Sequence, residues 1–123
     1  MMRSVAAFFL MAGVAHAEGI PDAIYTHTLD RFLAEQIAGA CDAYTFDREA
    51  ADAASKAVEV ASGLSETELT ALATQVPMER LAADVAALFK ERKIDAGKPA
   101  SFCRAGKAEI AAKTATGTYL KAK

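Results

Sequence analysis

Cys41 and Cys103 are the only two cysteines of the 123-residue chain. Thiols so placed can form a disulfide, hold a metal or react as thiolates. A redox pair is written Cys-x-x-Cys and a haem attachment site Cys-x-x-Cys-His, and neither pattern occurs. A structural zinc site needs about four ligands, and beyond residue 17 the only histidine is His27. One long-range structural disulfide is therefore the leading expectation, with free thiols as its rival.

Three further groups carry chemically capable residues. His27, Asp30 and Arg31 fall at helical spacing, so a metal or acid–base role is available. The plainer reading is a solvated polar face of a helix. Asp42, Tyr44, Phe46 and Asp47 make an acidic–aromatic loop beside Cys41. A disulfide would carry it next to Phe102, lining a small pocket for a cationic or apolar ligand. The alternative is that the rings plug the end of a bundle while Asp47 caps a helix. Arg104 and Lys107 flank Cys103 near a predicted helix start and could receive an anion. Candidate ligand-binding residues are thus Tyr44, Phe46, Asp47, Phe102, Arg104 and Lys107. No serine elbow, phosphate-binding loop or paired His–Glu metal motif is present. No catalytic residue, metal ligand or cofactor is expected from sequence.

The elements that must position these residues follow an export signal. Residues 1–17 read MMRSVAAFFLMAGVAHA: Arg3, ten apolar residues from Val5 to Val14, then Ala15-His16-Ala17. The apolar run is shorter than the roughly 20 residues needed to span a bilayer. Cleavage after Ala17 leaves residues 18–123 as a single domain, expected in the periplasm or secreted, without membrane insertion.

Alanine richness and the lack of period-two alternation predict an all-α chain. Helix one is predicted over about Asp22 to Cys41, with Tyr25, Leu29, Phe32, Leu33 and Ile37 on one stripe. Asp47 suits the cap of a second helix with a small-residue face of Ala51, Ala54, Val58 and Ala61, and Gly63 suits its end. Ser65-Glu66-Thr67-Glu68 is a capping box for a third helix, which Pro77 ends or kinks. Met78 to Phe89 reads as an amphipathic fourth helix with a basic end, Lys90 to Lys93. Pro99 opens a fifth, carrying Phe102, Cys103, Gly106, Ile110, Thr114 and Gly117 on one face. Gly106 and Gly117 weaken a helix by up to about 1 kcal/mol each relative to alanine, unless a neighbour approaches closely there. Glu109 and Lys113, four apart, read as a surface ion pair. The expected architecture is a small bundle of four to five helices, its first and last tied by Cys41–Cys103.

Charge is unevenly spread. From Glu18 to Leu88 thirteen acids face four bases, a balance of −9; from Phe89 to Lys123 three acids face nine bases, a balance of +6. Acidic and basic helices packing together would neutralise this, and a basic surface for anionic partners is the other reading. The bases alternate with apolar residues rather than forming a block, so no nucleic-acid partner is expected. An envelope protein or a small molecule is the partner class left open.

Gly63-Leu64-Ser65-Glu66-Thr67-Glu68-Leu69 and Ser101-Phe102-Cys103-Arg104-Ala105-Gly106-Lys107-Ala108-Glu109-Ile110-Ala111, with the export signal and Cys41, resemble a domain-of-unknown-function family of small secreted alphaproteobacterial helical proteins. The resemblance spans most of the chain after the signal and is best in its C-terminal half. It implies no activity; it carries over Cys41 and Cys103 as paired positions. The leading expectation is a binding or interaction module without catalysis. A periplasmic stress or acid chaperone is the alternative, and a small enzyme of unknown class comes last.

Overall fold

The computed structural model describes residues 20–123; the export signal expected at residues 1–17 lies outside them. Helix α1 (Asp22–Ala40) carries Asp22 in its first turn, where the helix dipole favours an acid, and stops at Cys41 in extended backbone. A turn leads to the short strand β1 (Tyr44–Phe46). Asp47 then caps α2 (Arg48–Ser62), its carboxylate accepting the Ala50 N–H at 3.0 Å. Gly63 closes α2 at φ 75°, a conformation glycine adopts without penalty.

The capping box forms as read. Ser65 Oγ accepts the Glu68 N–H at 3.2 Å, Glu68 Oε1 accepts the Ser65 N–H at 2.9 Å, and α3 (Glu66–Ala73) follows. Pro77 lies just before α4 (Met78–Glu91), so it separates two helices rather than kinking one. Pro99 is the first residue of α5 (Pro99–Ala112). A single turn, α6 (Ala115–Thr118), and strand β2 (Leu120–Ala122) complete the chain.

The fold is helical, as expected, with one addition. β1 and β2 pair antiparallel, Tyr44 opposite Ala122 and Phe46 opposite Leu120. The predicted fifth helix also stops earlier than Gly117. Lys113 takes a left-handed conformation (φ 56°), and Thr114 restarts the chain by capping α6, its Oγ1 accepting the Gly117 N–H at 3.1 Å.

The main core joins Leu33, Ala34 and Ile37 of α1, and Cys41 just after it, to Ala51, Ile94, Phe102, Ala105, Tyr119 and Leu120. Phe89 meets Phe102 edge-on at 5.7 Å between ring centres. A second cluster of Ile20, Ile24 and Tyr25 is covered by half-buried Val58, Leu69, Leu72 and Leu81. Neither α3 nor α4 contains a fully buried residue, so these two helices form the less secured side of the domain.

The Cys41–Cys103 disulfide ties the end of α1 to the first turns of α5, the last long helix, with Cα atoms 5.2 Å apart across a sequence separation of 62. Both glycines questioned from sequence sit at close approaches. A Cβ on Gly106 would lie 2.9 Å from the Tyr44 ring and 3.0 Å from Ile37 Cγ2. One on Gly117 would lie 2.3 Å from the Glu109 carbonyl oxygen. Rigid neighbours therefore require the missing side chains.

Two assignments on α5 change. Ile110, expected inside, is 37% exposed, while Glu109 is only 6% exposed. Glu109 does not pair with Lys113. Its Oε2 accepts Arg92 Nε at 2.9 Å and its Oε1 accepts Thr114 Oγ1 at 2.6 Å, which accounts for a buried carboxylate. Among the described residues, the neutralisation expected between the acidic and basic halves is not built from ion pairs. Those formed among the described residues include Arg31–Asp52, Lys56–Glu59, Arg80–Asp84, Arg92–Glu109 and Lys98–Asp95, each within one half.

Candidate functional site

Helices α1 and α2 pass each other in opposite directions, so residue 27 meets residue 55 and residue 31 meets residue 52. Each presents a polar stripe at helical spacing: His27, Asp30 and Arg31 on one, Asp52, Ser55 and Glu59 on the other. The α1 stripe is half-buried, not solvated as sequence suggested.

His27 Nε2 lies 2.7 Å from Ser55 Oγ, and its Nδ1 lies 3.3 Å from the Tyr119 hydroxyl. Arg31 Nη1 donates to Ser55 Oγ at 3.2 Å and pairs with Asp52 Oδ1 at 3.2 Å. The Arg31 guanidinium also sits 5.5 Å from the centre of the Phe46 ring, and that of Arg48 sits 5.9 Å from the same ring. The C-terminal segment joins this network: Thr116 Oγ1 donates to the Asp30 carbonyl at 3.2 Å.

Burial sets the protonation of these groups. It lowers the His27 pKa below its ordinary 6.5, and the neighbouring Arg31 charge lowers it further, so the imidazole is neutral at pH 7. Burial raises Asp30, and Glu109 adds to the rise while Arg92 opposes it. Tyr119 is raised by burial and by Asp30, with Arg31 opposing. Two residues before His27 on α1, burial and a 2.5 Å hydrogen bond to Asp84 push the Tyr25 phenol up to about 12.

His27, Arg31, Asp52 and Ser55 border an open groove of about 660 Å³ between α1, α2 and α3. Its polar wall includes His27, Thr28, Arg31, Asp52 and Ser55, with Arg48, Lys56 and the carboxylates of Glu35, Glu59 and Glu66 alongside. Its apolar floor is Ile24, Phe32, Val58 and Leu69. A groove with an apolar floor and a few convergent polar groups suits a small amphipathic ligand. Among the described residues, Arg31 uses only Nη1, toward Ser55 and Asp52, which leaves Nε and Nη2 as donors there.

The residues singled out from sequence lie elsewhere. Cys41 and Cys103 are bonded. Tyr44 covers Gly106, Asp47 caps α2, and Phe102 is buried against Phe89. Arg104 Nη2 donates to the Lys93 carbonyl at 2.7 Å, and Lys107 is exposed. None of Tyr44, Phe46, Asp47, Phe102, Arg104 and Lys107 lines the groove; Phe46 comes nearest, through Arg31 and Arg48. Among the described residues, no cluster of three or more His, Cys, Asp or Glu is placed to hold a metal ion. No described helix is long and apolar enough to cross a membrane.

Taken with the fold, this site defines a small disulfide-bonded helical domain with one polar-walled groove. The chain belongs to the family described as Family of unknown function (DUF5333), whose model matches residues 20–121. No curated protein and no solved structure matches it.

Proposed function

We propose that the protein is a small-molecule-binding module of the cell envelope, exported to the periplasm or secreted, with its ligand seated in the α1–α2–α3 groove. The observation that carries this reading is the groove itself. Polar side chains from two helices stand over an apolar floor on a frame locked by a disulfide. Disulfides persist in oxidising compartments, which supports export. Thr70 is exposed and lines the groove, so a Thr70→Trp substitution fills it without touching the core. A small-molecule extract of the native envelope is expected to raise the melting temperature of the unsubstituted protein and to leave Thr70→Trp unmoved. Equal shifts in both, or none in either, would remove the groove as the seat.

One feature favours an acid-responsive chaperone as a second reading. His27 joins α1, α2 and the C-terminal segment while neutral. A histidine whose folded pKa is lowered supports the fold fully above its unfolded value of 6.5. Below that value the unfolded chain binds the proton first, and stability falls. Asp30 has the opposite sign: its raised pKa adds stability as pH falls toward 3.8. The loss just below 6.5 therefore belongs to His27. Urea unfolding at about pH 7.5 and about pH 5.5 is expected to show a fall in stability that His27→Gln reduces. The chaperone reading also requires dye-accessible apolar surface in that acid range. A protein that binds no dye there, and whose pH slope His27→Gln leaves unchanged, is not acid-responsive.

A further inference from the structure

We infer that Ser55 is an acyl acceptor, activated by His27 and positioned by Arg31 to take the acyl group of a small ester or thioester bound in the groove. This rests on the groove as ligand seat and adds covalent chemistry to it.

Arg31 can only donate, so its 3.2 Å contact occupies a lone pair of Ser55 Oγ. The hydroxyl hydrogen then needs an acceptor, and His27 Nε2 stands 2.7 Å away. A neutral ring that accepts at Nε2 carries its own hydrogen on Nδ1, and that edge faces the Tyr119 oxygen at 3.3 Å. Nucleophile, base and a third group orienting the base thus stand in sequence, the arrangement that serine acylation requires. The imidazole is neutral at pH 7 and able to accept a proton. Ser55, His27 and Arg31 all border the groove, so an ester on the apolar floor has access to Oγ.

In the step itself, Ser55 Oγ bonds to the carbonyl carbon while its proton passes to His27 Nε2. Negative charge grows on the carbonyl oxygen beside the Arg31 guanidinium, whose Nε and Nη2 donors are not engaged by any of the described residues. The bond to the leaving alkoxide or thiolate then breaks, and that group takes the proton from His27. The products are an O-acyl Ser55 and a free alcohol or thiol. A water molecule, deprotonated by the same nitrogen, returns the serine and releases the carboxylic acid. Ser55 lies within a regular helix and not on a strained elbow, so slow acylation of one site per chain is expected rather than fast turnover.

Para-nitrophenyl acetate is the probe. The full protein is expected to release one equivalent of nitrophenolate in a burst and to carry one acetyl group on the peptide containing Ser55. Ser55→Ala should abolish both, and His27→Gln should slow the burst by about a hundredfold or more. The burst rate should fall with acid as His27 takes up a proton. A purely structural Ser–His contact would move stability in these variants and produce no burst. Acetylation confined to lysines, or a burst that His27→Gln leaves unchanged, overturns the proposal. Para-nitroacetophenone, which has the same shape and no leaving group, separates the two ideas. If it shifts the amide signals of Thr28 and Val58 but the ester gives no burst, the groove stands and acylation falls. If it shifts nothing and no burst occurs, both fall.

Discussion

Replacing both Cys41 and Cys103 by serine is expected to cost about 4 kcal/mol of folding stability, read as a lower urea midpoint with a steeper slope, because the uncrosslinked unfolded chain exposes more surface. The figure follows from loop closure over 62 residues, which the bridge removes from the unfolded chain. A domain of this size commonly has about 5–15 kcal/mol in total. The reduced protein is therefore expected to sit near the edge of folding at growth temperature. Location sharpens the expectation. Cys41 is 1% exposed and belongs to the main core, so a serine there also buries a hydroxyl where a sulfur packed. A double variant that unfolds at the same urea concentration as the oxidised protein would mean that helix packing alone sets the register of α1 and α5.

The second large effect is expected at Arg92. Its Nε donates to buried Glu109 at 2.9 Å, and it also pairs with Glu91. This contact fastens the end of α4 to the end of α5. Arg92→Ala leaves the Glu109 carboxylate buried without its cation, and about 3 kcal/mol of stability should be lost. That is the low end for a buried pair, because the Arg92 side chain keeps 27% exposure. The double change Arg92→Met with Glu109→Leu removes both charges and should recover most of the loss, since paired apolar groups avoid the desolvation cost. A double-mutant cycle gives the coupling directly. Additive losses would show that the pair acts as two independent side chains.

Much of this fold was legible in local chemistry. The Ser65–Glu68 box, the Asp47 cap, the left-handed Gly63 and Pro99 at a helix start are all decided within a few residues, and all appear where read. The Cys41–Cys103 pairing was readable because only two cysteines exist. The small sheet was not. Three residues give too little alternation to register as a strand, and β1 finds its partner at the far end of the chain. The early end of α5 was hidden because a lysine, not a glycine, adopts the left-handed turn.

The site was less legible than the fold. His27 and Arg31 were noticed, but their partners Ser55, Asp52 and Tyr119 lie far away in sequence. The available signal was a matched pair of polar stripes on two neighbouring amphipathic helices. Such stripes read as solvent-facing until the packing is known. The acidic–aromatic loop drew attention through composition, yet its rings are spent on Gly106 and on two guanidinium groups.

The disulfide has a topological consequence. It turns residues 41–103 into a closed ring that holds α2, α3 and α4, while α1 and the rest of α5 leave it as two arms that build much of the core. The exposed connectors at Gly63–Ser65 and Thr74–Gln75 both lie on the ring. A protease that cuts either one severs no part of the molecule from the rest. The nicked product remains one covalent body with its arms still packed, so cleavage at these connectors does not release a fragment.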